Sequence, residues 1–176
     1  MKILKIILGG IVGLIALALI VALFVKKEYA VEREIVINKP KQEVFDFIKL
    51  IKNQDLYSVW NRRYPNKTTD YKGTDGTVGF VYAWNDKESV GEQEITKITD
   101  GERIDMALRF KVPFEANDKA YMTTEALADG KTKVKWGFNG AMKYPMNLML
   151  LFFNMEDMLG KDLEKGLADL KVVLEK

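Results

Sequence analysis

Twenty consecutive residues, Ile6 to Val25, carry no charge and no strongly polar side chain, with Lys2 and Lys5 before them and Lys26 and Lys27 after. At about 1.5 Å per residue, a helix of this length spans the roughly 30 Å hydrocarbon core of a bilayer. A cleaved signal peptide is the main competitor, and its apolar stretch runs to about 7–15 residues before a small-residue cleavage site. Ala16-Leu17-Ala18 has that spacing, but a cut there would leave Leu19 to Val25 as an exposed apolar stub, and no cysteine is present for lipid attachment. The expectation is an uncleaved N-terminal membrane anchor over residues 1–27 and one domain over 28–176. Gly9 and Gly13 form a single small-xxx-small pair, more simply read as the ordinary glycine tolerance of membrane helices. Lys26, Lys27, Arg33, Lys39 and Lys41 outnumber the basic residues before the span and favour a cytoplasmic domain, although a folded domain can translocate regardless of such charges.

Residues 28–176 are enough for one domain with a real core. They hold all 25 acidic residues and 23 of the 27 basic ones, a net charge of −2, so no basic stripe points to nucleic acid. Histidine and cysteine are both absent. That removes thiolate and imidazole metal ligands, Cys/His and Ser/His nucleophile systems, and disulfides. No loop resembles an Asp/Asn-rich calcium site, and the expectation is a domain with no metal and no cofactor.

Tyr29 to Asn38 reads as a strand. Pro40 then suits a helix start, and Val44, Phe47, Ile48 and Ile51 recur at helical spacing, which predicts an amphipathic helix over 41–52. A second short helix fits Asp55 to Arg62. Three Asp-Gly pairs follow, at 75–76, 100–101 and 129–130, each between alternating or β-branched runs, the strongest short hairpin signal. With a turn at Asn85-Asp86 and a connection at 112–117, they predict strands over 67–73, 77–84, 88–99, 102–111, 118–128 and 131–140. Pro145 opens a predicted long helix over 146–175, with Leu148, Phe152, Met155, Leu159, Leu163, Leu167 and Leu170 along one side. The order predicts an α+β fold: a seven-stranded curved antiparallel sheet wrapped around a long C-terminal helix, preceded by one transmembrane helix.

Directly opposed residues of a hairpin share a face, so turn positions predict facing. A two-residue turn at Asp100-Gly101 sets Ile104, Met106, Leu108 and Phe110 opposite Lys97, Ile95, Gln93 and Gly91, and pairs Glu92 with Arg109 on the outer face. The turn at Asn85-Asp86 adds Val78, Phe80, Tyr82 and Trp84 to the inner face, and Tyr71 and Thr69 join them. A two-residue turn at Asp129-Gly130 sets Val134, Trp136 and Phe138 opposite Glu125, Thr123 and Tyr121. The inner face then carries aromatics together with Gln93, Thr123 and Glu125. Burying such groups without partners costs several kcal/mol. Either a cavity holding water or a ligand accommodates them, or Glu125 sits at the open end of the sheet and meets solvent. Five of the eight methionines fall between Met142 and Met158, beside Leu150, Leu151, Phe152 and Phe153. Such a flexible, polarizable cluster suits varied apolar partners. It covers the core, a ligand, the two short helices or the bilayer.

The strand–two helices–meander–long helix order, the Pro40-x-x-Glu43-Val44-Phe45 opening and the Thr132-x-Val134-x-Trp136 strand together resemble the helix-grip fold of the SRPBCC superfamily. That superfamily includes START-like lipid-transfer domains, polyketide cyclase/dehydrase-like proteins and the birch-pollen-allergen relatives. The segments YAVEREIVINKP, GTDGTVGFVYAWND, GEQEITKI and KVKWGFNGAMKYPMNLMLLF are similar to membrane-anchored bacterial members labelled polyketide cyclase-like. The resemblance implies a single-pass protein of the bacterial inner membrane with a cavity between sheet and terminal helix. One scaffold hosts many activities, and no catalytic motif carries over residue by residue.

The leading expectation is a membrane-tethered module that binds a lipid or other apolar small molecule, with Phe80, Tyr82, Gln93, Leu108, Tyr121, Glu125, Trp136 and Met149 lining its cavity. The bilayer is then a second partner. One alternative is a cyclase or dehydratase using a desolvated Glu125 of raised pKa, with Tyr82 or Tyr121 as hydrogen-bond donor. Another is a protein-interaction domain of the cell envelope, using the 146–158 segment or the outer sheet face. Arg62-Arg63 is in reach of lipid phosphates, although two adjacent arginines are more simply solvated.

Overall fold

The computed structural model describes residues 1–176. The apolar run lies within one helix, α1 (Lys2–Phe24), of which only Ala22 is buried. Val25 is extended, and strand β1 (Glu28–Ile37) begins after Lys27. The predicted first domain helix divides into α2 (Lys41–Ile48) and a 3₁₀ turn at Ile51–Asn53, followed by α3 (Gln54–Tyr57) and α4 (Val59–Arg63). Val44, Phe45 and Ile48 of α2 are fully buried. Arg62 and Arg63 of α4 are tied to the terminal helix rather than left in solvent, Arg62 on Asp169 and Arg63 on Asp162 at 2.8 Å.

Six further strands complete the sheet: β2 (Thr68–Lys72), β3 (Val81–Asn85), β4 (Val90–Thr99), β5 (Arg103–Val112), β6 (Ala116–Ala126) and β7 (Thr132–Ala141). All pair antiparallel in the order β1-β7-β6-β5-β4-β3-β2, so β1 and β2 are the edges. Seven strands and the α+β order match the expected architecture.

Local chemistry moved three details. Asp75-Gly76 does not make a tight hairpin: Gly76 and Gly79 take positive φ, β3 starts only at Val81, and Val78 is exposed outside the sheet. Asp75 instead accepts hydrogen bonds from the Ile51 and Lys52 amides at 2.8 and 3.2 Å, capping the 3₁₀ turn. The Asp100-Gly101 register holds from Ile95–Met106 to Gly91–Phe110, but a bulge at Thr96 shifts the turn end, so Ile104 opposes Ile98 rather than Lys97.

The third change reverses a whole strand. The β6–β7 connection is three residues, Ala128–Gly130, with Asp129 and Gly130 both at positive φ and Leu127 donating to the Lys131 carbonyl at 2.8 Å. Val134 therefore opposes Thr124, Trp136 opposes Met122, and Phe138 opposes Ala120. A one-residue slip exchanges the two faces of a strand. Asp118, Ala120, Met122 and Thr124 point inward, and Tyr121, Thr123 and Glu125 point outward.

The terminal helix is also shorter than its apolar pattern suggests. Met146–Leu151 is a 3₁₀ segment, and α5 (Met155–Leu174) begins only after Asn154, whose Oδ1 accepts from the Glu156 and Asp157 amides at 3.0 and 3.3 Å. An asparagine cap with two acids in the first turn is a helix start. Leu163, Leu167, Leu170 and Leu174 of α5 are buried in the core with Val31, Ile37 and Trp136. Arg33 reaches from β1 to α5, donating to Glu164 at 2.6 Å and also to Glu156.

Candidate functional site

The concave face of the sheet is organised in transverse rows. One row is apolar: Phe80 beside Ile95, then Met106 opposite Ile95, Ala120, Phe138 and Val31. The next row towards the α1 end of the sheet runs Tyr82, Gln93, Leu108 and Asp118, and continues through Gly140 to Tyr29. Four of its six members carry a polar group. Gln93 is 8% exposed and its amide donates to the Met106 sulfur at 2.9 Å. Asp118 is buried, accepting from the Ala141 amide at 3.2 Å. Burial pushes its carboxyl above the usual carboxylate range, an effect the Ala141 hydrogen bond reduces. The Tyr29 hydroxyl is pushed up to about 12, by burial first and then by the negative charge of Asp118. Its ring lies across Gly140, where any Cβ would collide with it, and stacks on Phe138 at 6.1 Å between centroids. Trp84 lies across Gly91 in the same manner one row further on.

Tyr29 also borders a groove of about 910 Å³. One wall is the end of α1, Val21, Phe24 and Val25; the second is the edge strand, Tyr29 to Val31; the third is Leu150 to Met155 at the approach to α5. Lys26, Glu28, Asn154 and Glu156 stand at its margin. This volume is in the range of small-molecule sites, about 300–1,000 Å³. The groove lies between the sheet and the start of the terminal helix, but at the β1 edge. The middle of the fold is occupied by a continuous apolar core.

The eight residues expected to line a cavity are therefore divided. Phe80, Tyr82, Gln93, Leu108 and Trp136 are all buried on the concave face. Trp136 packs edge-on against Tyr57 and Trp60, with centroids at 5.6 and 5.7 Å. Met149 is half-buried in the 3₁₀ segment next to the groove. Tyr121 and Glu125 are on the convex face. Tyr121 donates to Glu32 and lies under the Arg103 guanidinium, 4.1 Å from the ring centroid. Glu125 pairs with Lys133 at 2.6 Å, and that partner holds its carboxyl below the ordinary range. A general acid in a desolvated pocket needs the opposite shift, so the cyclase reading built on Glu125 fails. The buried carboxyl of the concave face is Asp118 instead. Its alternation with Ala120 and Met122, against Lys119 and Glu125, is the sequence signal that marks the inward set. The groove walls beyond Leu150 had only the methionine–phenylalanine cluster to announce them.

No family model and no curated sequence matches the chain. Solved structures do. Protein CV1439 from Chromobacterium violaceum is 12% identical with a TM-score of 0.61, over 84% of this chain and 97% of its own. Ara h 8.0201 is 15% identical with a TM-score of 0.57, over 84% and 98%. A protein from Nitrosospira multiformis is 16% identical with a TM-score of 0.55, over 83% and 96%. Identity this low carries the backbone arrangement and nothing finer. With its curved antiparallel sheet gripping a C-terminal helix, the chain has the helix-grip fold.

Proposed function

We propose that this protein is a membrane-tethered binding module, holding a lipid or other apolar small molecule where the anchor, the edge strand β1 and the approach to α5 meet. The observation that carries this reading is the groove itself, mostly apolar and walled in part by the last turn of the anchor. A ligand there leaves the bilayer without crossing water. Because the ligand comes from hydrocarbon and not from water, its apolar transfer term is near zero, and packing and polar contacts in the groove decide retention. Lys26 and Asn154 at the margin supply a charge and an amide for a polar head.

Val21 lines the groove from α1 and is exposed, so a large side chain there fills ligand space without entering the core. Native mass spectrometry of the full chain released from lipid nanodiscs should show one retained lipid or apolar mass per protein. Val21→Trp should lower that retention about tenfold, equivalent to about 1.4 kcal/mol. Empty spectra from the native chain, or equal retention in the variant, would overturn the assignment.

A further inference from the structure

The anchor fixes which end of the sheet meets the membrane. Three residues separate α1 from β1, and the Lys27 carbonyl accepts from the Met142 amide at 2.8 Å, so β1 begins and β7 ends beside the anchor. Antiparallel pairing places the β5–β6 connection, residues 113–115, at that same end with the 142–154 segment. These two connections hold six of the domain's twelve exposed large apolar side chains. Phe114 is 65% exposed and Phe152 is 81% exposed, and Tyr144, Met146, Leu151 and Phe153 are exposed with them. At the far end, the connections at 38–40, 100–102 and 127–131 are polar or glycine-rich, and Val78 is the one large exposed apolar residue in that end's loops.

A buried clamp sets the depth of the 142–154 segment. The Asn147 amide is fully buried and donates to the Ala22 and Val25 carbonyls at 2.7 and 2.9 Å. Two of the carbonyls left open at the anchor's C-terminus are thereby satisfied by the domain. Met146 to Phe153 is thus held beside the last turn of the anchor. Lys26, Lys27, Lys111 and Lys143 are exposed around this apolar rim and form no ion pair, while Glu28 and Glu115 interrupt them. The rim thus joins exposed apolar side chains to lysines, a combination that suits the interfacial layer of a bilayer.

We infer that Phe114 and the Tyr144–Phe153 segment insert into the interfacial layer of the bilayer that holds the anchor, so that this end of the grip opens into lipid. The inference rests on the tethered reading above and adds a second, peripheral membrane contact to it. The chain has no cysteine, so single introduced cysteines report one position each. Full-length Phe114→Cys, Phe152→Cys, Leu14→Cys and Asp100→Cys, each carrying an environment-sensitive fluorophore, are compared in phosphatidylcholine nanodiscs with one copy per disc. Brominated lipid should quench the labels at 14, 114 and 152 severalfold more than the label at 100, and aqueous iodide should show the reverse order.

Iodide quenching at 114 and 152 equal to that at 100, with 14 still quenched by lipid, overturns the inserted rim and leaves the tether standing. A label at 14 open to iodide removes the tether and the rim together. Shielding at 114 and 152 that occurs only in discs loaded with two copies assigns the patch to self-association, and also overturns the proposal.

Discussion

Trp136 stands edge-on to two rings and over a glycine, and its surroundings set the cost of changing it. Truncation of Trp136→Ala should destabilise the fold by about 3–5 kcal/mol, from lost burial plus the cavity left behind. A Cβ at Gly166 would lie 2.8 Å from the indole, so Gly166→Ala should cost about 1–3 kcal/mol, and pairing it with Trp136→Phe should recover part of that. Denaturant titration in detergent of these three variants and of Trp136→Phe alone checks both figures and the coupling. Asp118 offers a test of sign. Its folded carboxyl keeps its proton to higher pH than the unfolded one, so its ionisation removes stability as pH rises from the ordinary carboxylate value through the raised one. Asp118→Asn should therefore be more stable than the native chain at neutral pH. The advantage should shrink to nothing below the ordinary carboxylate range, as read from unfolding midpoints across pH.

At the scale of elements, turns and caps decided what periodicity could not. The β6–β7 loop depends on Asp129 holding a left-handed conformation at φ 61°. A β-branched side chain is strained there, so Asp129→Val should cost about 1–2 kcal/mol and Asp129→Gly close to nothing, again by denaturant titration. Asn154 caps the start of α5; Asn154→Ala should lower stability by about 1 kcal/mol and raise amide exchange at Glu156 and Asp157. The Asp-Gly at 129–130 was legible as a turn, but whether two or three residues span it depends on which carbonyl the returning strand meets. That choice placed Asp118 inside and Glu125 outside. The Asn154 cap was equally present in the sequence, and the apolar run through Leu148 and Phe152 masked it.

At the scale of the molecule, α1 is long and apolar enough to cross a membrane, and the proposed tether rests on it. A charge at its centre, Leu14→Arg, should cost about 2.5–3.5 kcal/mol of insertion and release a measurable fraction of full-length protein from membranes under alkaline extraction. A released fraction equal to that of the native chain would count against a spanning helix. The amino-acid order by itself determined the apolar helix, the seven strands, their antiparallel meander and most inward faces, because each follows from short-range periodicity and turn chemistry acting within a few residues. Only the tertiary structure decided that the concave face closes on a continuous apolar cluster, that a groove opens at the β1 edge, and that Asn147 docks on the end of α1. Those outcomes depend on which distant surfaces meet. Residues 22 and 147 are brought together by the closure of the whole sheet, and no local pattern along the chain encodes that meeting.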